Sequence, residues 1–556
     1  MDVRTTLLFV LAAVAVVVVI HRVAEKTGLP DAALLTLAGI AFSLLPGGDV
    51  ELDPHLVLTL VIPPLIYSTA LDASLLGIRR NLRTVVSLSV ALVLATALAV
   101  GVGFELFVAG ATLAAGIALG AAVAPPDPVA ALAVARRMGL PPRLITLIQG
   151  EGLLNDATAL TILTVAVAAA TSGNFSPWAA VGQFLLASAG GVAVGLLVAT
   201  VVRWIRRWLT DPLSLNAVSL ATPFAAYLLG ETLHVSGVLA VVIAGLIIGH
   251  DSSRTVSGAG RLQMSAVWRL IAFVLEGLTF LLIGEQLPAV VRGLNAYDTS
   301  TIVIASVVSV GVVLLLRPLW LVLTQLLPRP LHTRLGGAES GDDEEEEPAA
   351  RRIHAVERLT GRELLVLSWA GTRGVITLAA IFTLPLSTPS GQPFPDRSLL
   401  QFCAFLVVFV TLVGQGLTFA PLVRALGLRA NAADQARLRN RARQTAVQAG
   451  LDRLAELERE RHDEVDDRAI AALRSQLEAR LTRYRRRLAA LENVEDEIPY
   501  SPQYEAVSRV SREVLASERE ELLRLRDAGQ LPDSGLRVIE RELDHQEGLL
   551  PARPMG

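Results

Sequence analysis

The sequence holds a single cysteine, Cys403, in 556 residues. That excludes a disulfide framework and a zinc site built on cysteines. Charge is also scarce, at 18%, where a soluble globular chain carries about 25%. A deficit spread over hundreds of residues excludes a cytosolic enzyme and a disordered protein. Lysine is nearly missing: Lys26 stands alone and arginine supplies the other positive charges, which we read as coding bias before chemistry. A net charge of −3 argues against a nucleic-acid binder, which would be basic. Apolar residues, by contrast, make up 52% of the chain, and the mean hydropathy is +0.52. This is the composition of an all-α polytopic membrane protein.

Long apolar runs fill the chain from about Thr5 to Leu428, and Arg, Glu, Asp and Ala dominate from Arg429 onward. The shift divides a membrane domain, 1–428, from a charged tail, 429–556. Residues Leu7 to Ile20 lack a small-residue cleavage site after them and read as an uncleaved first span. A bilayer core needs roughly 20 apolar residues per helix. On that ruler about thirteen spans fall near 5–22, 31–46, 55–72, 83–107, 110–136, 143–171, 178–202, 213–231, 236–250, 265–289, 301–326, 361–386 and 398–426. Loops after odd-numbered spans carry the arginines, among them Arg79, Arg80, Arg136, Arg137 and Arg203 to Arg207; loops after even spans carry almost none, Arg292 excepted. The positive-inside rule then puts the N-terminus outside and the 327–360 loop and the tail in the cytoplasm. That loop contains the acidic run Asp342 to Glu347, which reads as a solvated linker. The tail reads as helix over 430–492 and again over about 503–547. Its narrow stripe of Leu451, Leu454, Leu457, Leu473, Leu477 and Leu481 calls for a partner, either another protomer or the cytoplasmic face of the membrane domain.

Ionisable groups inside spans are costly and mark function or pairing. Here they are Asp127, Glu151, Asp156, Glu276 and Arg373. Pro125, Pro126 and Pro128 cannot sit in a continuous helix, so the fifth span must unwind there. Gly371 and Gly374 make a similar weak point around Arg373 in the twelfth. Two broken helices seven spans apart imply inverted repeats, the architecture of secondary transporters. On the sixth span Glu151 and Asp156 point about 140° apart, so one can face a cavity while the other is tied into a helix contact. Buried Glu151 needs a cation, and Arg373 is the best-placed candidate.

Gly150-Glu151-Gly152-Leu153-Leu154-Asn155-Asp156 resembles the G-E-S-L-L-N-D signature of sodium/proton exchangers. Pro63-Pro64-Leu65-Ile66-Tyr67, Asp127-Pro128-Val129-Ala130, Leu233 to Val241, Glu276 with Gly284 and Gly371-Thr372-Arg373-Gly374 agree in order. Over about residues 5–428 the chain is similar to the monovalent cation:proton antiporter-1 family, bacterial NhaP-type antiporters included. The resemblance implies a thirteen-span homodimer. It makes Asp156 the carboxylate that binds Na+ or a proton, Asn155 its neighbour in the electroneutral class, Asp127 the unwound-helix aspartate, and Glu151 with Arg373 a structural ion pair. Three positions depart from the pattern: Gly152 replaces serine, Pro126 replaces a frequent threonine, and Ser68 stands where some prokaryotic members have glutamate. Water, backbone carbonyls, Ser68, Tyr67 or Asp72 would then complete the shell. Thr372 and Glu276 are further pathway-lining candidates, Glu276 alternatively pairing with Arg317 or a backbone group.

A proton and a hard cation cannot both occupy Asp156 at full affinity, and oxygen ligands suit either sodium or other hard cations. Competition plus alternating access gives exchange of a monovalent cation, sodium or lithium first, for protons across a bacterial cell membrane. No enzyme activity, cofactor or nucleic-acid partner is expected. A potassium/proton antiporter of the same fold is the nearest alternative; a transport-inactive sensor and an intramembrane aspartyl protease using Asp127 and Asp156 are remote ones.

Overall fold

The computed structural model describes residues 3–27, 29–44, 57–172, 177–209, 211–326, 359–388, 391–429, 432–460, 464–492, 502–528, 530–531 and 533–548. Among these the chain is helical, apart from an isolated bridge between Ser387 and Pro393. It divides by its contacts into two units, Met1–Arg429 and Ala430–Gly556. The acidic run Asp342 to Glu347 lies outside the described residues.

In the first unit the apolar runs become helices in the expected order. Helices α1 (Val3–Thr27) and α2 (Asp31–Ser43) come first. A π-turn, Val57–Val61, leads into α3 (Ile62–Asp72). The short α4 (Leu75–Arg80) carries the arginine loop, and α5 (Leu82–Val86) continues through a second π-turn into α6 (Leu92–Phe107). The fifth run is broken: α7 (Leu113–Val123) stops, Ala124 to Asp127 are unwound, and α8 (Pro128–Arg137) resumes. Long helices follow as α9 (Pro142–Ser172), α10 (Pro177–Arg206), α11 (Pro212–Thr232), α12 (Gly237–Thr255), α13 (Gly258–Arg292) and α14 (Thr299–Leu326). The twelfth run is broken between α15 (Gly361–Trp369) and α16 (Val375–Phe382). Helix α17 (Arg397–Phe409) passes through a π-turn into α18 (Gly416–Leu426).

Among the described residues, 7 helices are long and apolar enough to cross a membrane, and Asp31–Ser43, Leu113–Val123 and Gly237–Ser252 are shorter apolar helices. The two broken runs go in opposite directions. Arg362, at the start of α15, reaches Leu426 O at the end of α18. Arg424, also near that end, lines the same vestibule as Arg137 at the end of α8. The start of one broken run therefore shares a side with the end of the other, as an inverted repeat requires.

Lipid tails are as apolar as leucine, so membrane helices gain by close backbone approach at small residues. Helices α2 and α13 cross in this way. A Cβ on Gly284 would run into the Thr36 carbonyl and lie 3.0 Å from Gly39 Cα; one on Gly39 would strike the Leu281 carbonyl.

A buried ion pair locks α9 to α14, and here the structure corrects the sequence expectation. Glu151 pairs with Arg317, not Arg373: both carboxylate oxygens accept from the guanidinium, Oε2 from Nη2 at 2.9 Å and Oε1 from Nη1. Arg317 Nε also donates to Leu367 O of α15 at 2.9 Å. The bidentate fork satisfies the whole carboxylate, which leaves Arg373 free for backbone carbonyls. The two guanidiniums are neighbours nonetheless. A methyl placed on Gly371 would meet Arg317 Cδ at 2.8 Å and Arg373 Nη1 at 3.0 Å.

The second unit also differs from expectation. The region expected as one helix over 430–492 is two, α19 (Ala432–Glu460) and α20 (Glu464–Glu492). They pack as a hairpin: Arg437 donates to Leu491 O from Nε at 3.0 Å and Nη2 at 2.6 Å, and Arg474 pairs with Glu458. Part of the apolar stripe is covered inside this hairpin, with Leu454 and Leu481 buried while Leu473 stays exposed. Helices α21 (Pro502–Asp527) and α22 (Asp533–Gly548) are joined by Arg519, which pairs with Asp544 and Glu547.

Three outcomes are expected. Arg317→Ala leaves Glu151 buried without its cation and costs about 3–5 kcal/mol, read as a lower unfolding temperature in detergent. In double-mutant cycles Glu151 couples to Arg317 more strongly than to Arg373; the reverse order would contradict the pairing. Gly284→Val blocks the α2–α13 crossing and lowers the yield of monodisperse protein from membranes, and wild-type yield would show that the crossing relaxes.

Candidate functional site

The last carbonyls of a helix have no partner within it. At the two breaks, Arg373 supplies partners. Its Nε donates to Val123 O at the end of α7 at 2.8 Å, and its Nη1 to Gly371 O just beyond α15. Its backbone N–H donates to Thr411 Oγ1 at 3.0 Å. A cation over two helix C-termini has the favourable sign. Asp127 does the converse. Its Oδ1 accepts from the Val129 N–H at 3.0 Å, capping α8. Its carboxylate also abuts the start of α16, where a Cβ on Gly374 would collide with it. The unwound segments bond each other directly: Asp127 N–H donates to Thr372 O at 2.6 Å, and Thr372 Oγ1 to Asp127 O at 2.9 Å.

Helix α9 closes the crossing from one side. Asn155 Nδ2 donates to Pro126 O at 2.9 Å, a carbonyl freed because the proline run cannot form a helix. The Pro128 ring lies against Gly152, so that any Cβ there would strike it; the missing signature serine has a steric reason in this chain. Asp156 is buried, at 5% exposure. It lines a cavity of ≈ 60 Å³ together with Asp127, Glu276, Thr69, Gly152 and Thr377, and no arginine, lysine or histidine is among the lining residues. Among the described residues no three His, Cys, Asp or Glu side chains gather closely enough to hold a metal ion. The carboxylates thus line the cavity without converging on one point.

A larger vestibule, ≈ 610 Å³, shares Asp127, Val129, Glu276 and Phe280 with the cavity and passes His21, Arg137 and Arg424. At its rim His21 Nδ1 lies 2.7 Å from Asp31 Oδ2. The vestibule is walled by the C-terminal parts of α1, α8 and α18, which carry Arg22, Arg136, Arg137 and Arg424.

The structure therefore brings Asp127, Asp156, Glu276, Pro126 and Gly152 to one cavity, with Asn155 holding its wall and Thr372 lining the vestibule. Glu276 does not pair with Arg317, whose guanidinium is taken by Glu151. Tyr67 and Ser68 are turned elsewhere. Tyr67 is fully buried, its ring 5.1 Å from that of Trp268, and Ser68 Oγ donates to Leu65 O at 2.8 Å; Thr69 reaches the cavity instead. Asp72 is exposed. Sequence reasoning gave Arg317 too small a part, although an arginine inside an apolar run already marks a buried partner. It overlooked Thr377, whose only signal is its place four residues after Arg373 in a span known to be broken.

A family model described as "Sodium/hydrogen exchanger, transmembrane" matches residues 11–425. A protein of Mycobacterium tuberculosis named as an uncharacterized Na(+)/H(+) exchanger is 32% identical over 557 residues, covering 97% of this chain and 95% of that protein. The sodium, potassium, lithium and rubidium/H(+) antiporter of Bacillus subtilis is 30% identical over 425 residues, 74% of this chain and 60% of that one. In fold the chain is similar to the sodium proton antiporter MjNhaP1 of Methanocaldococcus jannaschii, with a TM-score of 0.59, 17% identity, and coverage of 77% of this chain and 99% of that one. On the family match and the near full-length mycobacterial relative, the chain belongs to the sodium/hydrogen exchanger family.

Proposed function

We propose that the protein is a secondary antiporter that exchanges sodium for protons, with Asp156 as the group that carries either one. The observation that carries this reading is the cavity at the crossing of the broken helices: it holds the buried Asp156, is lined by three carboxylates, and is free of basic side chains. A bare carboxylate in such a place is costly, so Asp156 must hold a proton or a cation. A site that binds one or the other and is exposed to one side at a time exchanges them. The vestibule makes the described state open toward the arginine-bearing ends, which the positive-inside rule assigns to the cytoplasm. The N-terminus is then outside, the membrane is the cell membrane, and the tail is cytoplasmic. Thirteen crossings and a homodimer follow from the family resemblance.

Asp127 is positioned to hold the crossing rather than to travel with the ion, because one oxygen caps α8 and the other faces the start of α16. Asn155 is uncharged and bonded to the unwound backbone. With Glu151 held by Arg317, Asp156 is the one carboxylate of α9 left for one cation or one proton, hence electroneutral exchange. A second reading, potassium in place of sodium, is favoured by the printed name of the Bacillus subtilis relative, which includes potassium.

In proteoliposomes, Asp156→Asn is expected to abolish cation-driven proton flux while the protein stays folded and inserted. Robust exchange in that variant would place the site elsewhere. Exchange by the wild type at fixed ion gradients is expected to be insensitive to an imposed membrane potential, and a rate that follows the potential would refute one-for-one stoichiometry. Sodium, lithium and potassium titrated in turn separate the two cation readings.

A further inference from the structure

Several threonines of unbroken helices in this chain engage their own backbone. Thr36 donates to Ala32 O at 2.8 Å, Thr96 to Leu92 O at 2.7 Å and Thr279 to Leu275 O at 2.6 Å, each four residues back. Such a bond satisfies the hydroxyl within its own helix. Thr377 differs. It is the third residue of α16, which begins at Val375 after the break. Four residues back is Arg373, in the unwound segment before the helix. The consequence is visible: Thr377 is 1% exposed, and its Oγ1 is buried with no hydrogen-bond partner. Burying a hydroxyl without a partner is unfavourable. Thr377 also lines the cavity that contains Asp156.

The signature serine and the frequent threonine of the unwound segment are Gly152 and Pro126 here, so neither brings a side-chain oxygen to that cavity. A monovalent hard cation at a single carboxylate still needs neutral oxygen ligands. We propose that Thr377 supplies one of them, as a cation-binding and specificity-determining residue that takes the place of the two missing hydroxyls; this rests on Asp156 being the exchange site. The break in the twelfth run has two consequences in this account. It lets the unwound segments cross, and it releases a hydroxyl that an unbroken helix would have occupied. Because the hydroxyl is neutral, it adds affinity without changing the charge carried per cycle. The positive end of α16 would repel a cation, but the Asp127 carboxylate stands against that helix start and offsets it.

The test is cation-driven proton flux in proteoliposomes for Thr377→Ala, Thr377→Val and Thr377→Ser, with sodium, lithium and potassium titrated separately. Valine keeps the shape and removes the oxygen; serine keeps the oxygen and removes a methyl. The alanine and valine variants are expected to raise the apparent KM for sodium by roughly tenfold, the scale of one lost polar contact to a charged group, and by less for potassium. Maximal rate should be largely retained, and serine should stay near wild type. Unaltered KM in the alanine and valine variants overturns the proposal, as does a serine variant impaired as much as alanine, which would mean a packing role. Asp156→Asn run alongside separates the two levels. Exchange surviving there removes the site itself, whereas exchange lost there with normal KM in the threonine variants removes only Thr377.

Discussion

A membrane interior offers no water to unpaired backbone groups, so every carbonyl and N–H released by a broken helix must be satisfied by protein. The crossing of the two unwound segments answers much of that requirement, and the rest of the site depends on it. Asp127 and Thr372 bond each other's backbone, Arg373 takes the Val123 carbonyl, and Asn155 takes that of Pro126. Each broken run on its own would leave carbonyls bare. Together they satisfy several of these groups and bring two helix N-termini to the Asp127 carboxylate and two C-terminal ends to the Arg373 guanidinium. The cavity beside Asp156 exists because these unwound segments replace a pair of solid helices.

Much of this was legible beforehand because its causes are local. Three prolines in four residues have no helical solution, so the break at Pro125 to Pro128 could be read directly. The 140° separation of Glu151 and Asp156 on one helix likewise foretold that one would face a cavity and the other a helix contact, as Arg317 on one side and the cavity on the other now show. The choice of partner for Glu151 was not legible. Arg317 and Arg373 crowd the same glycine, and which one forks onto the carboxylate depends on how α14 is rotated. That rotation is set by packing along the whole helix. Thr69 reaching the cavity where Ser68 was expected is a one-residue question of the same kind, since neighbouring residues on a helix differ by about 100° in direction. The tail hairpin was missed because the sequence between Glu460 and Glu464 has no glycine or proline to mark a boundary.

The polar ties around the site are unevenly distributed, and that bears on how the site could change sides. Helix α9 is fastened to α14 and α15 through Glu151, Arg317 and Leu367, and to the unwound segment of the fifth run through Asn155. Those elements share charged and backbone bonds whose loss leaves buried groups unpaired, so separating them costs several kcal/mol per broken charge contact. The opposite wall comes from α3 and α13. It meets the cavity through Leu65, Ile66 and Phe280, with Thr69 and Glu276 as its polar members. Apolar side chains sliding past one another exchange similar contacts for similar contacts, and in lipid they lose little. Helix α13 is in turn held to α2 by backbone contact at Gly39 and Gly284, which suits rigid transmission and not local bending. With Asp156 as the proposed exchange site, a displacement that exposes it to the far side would meet least resistance between the crossing with α9, α14 and α15 as one body and α2, α3 and α13 as another. The carboxylate would then stay with the body that fixes its surroundings.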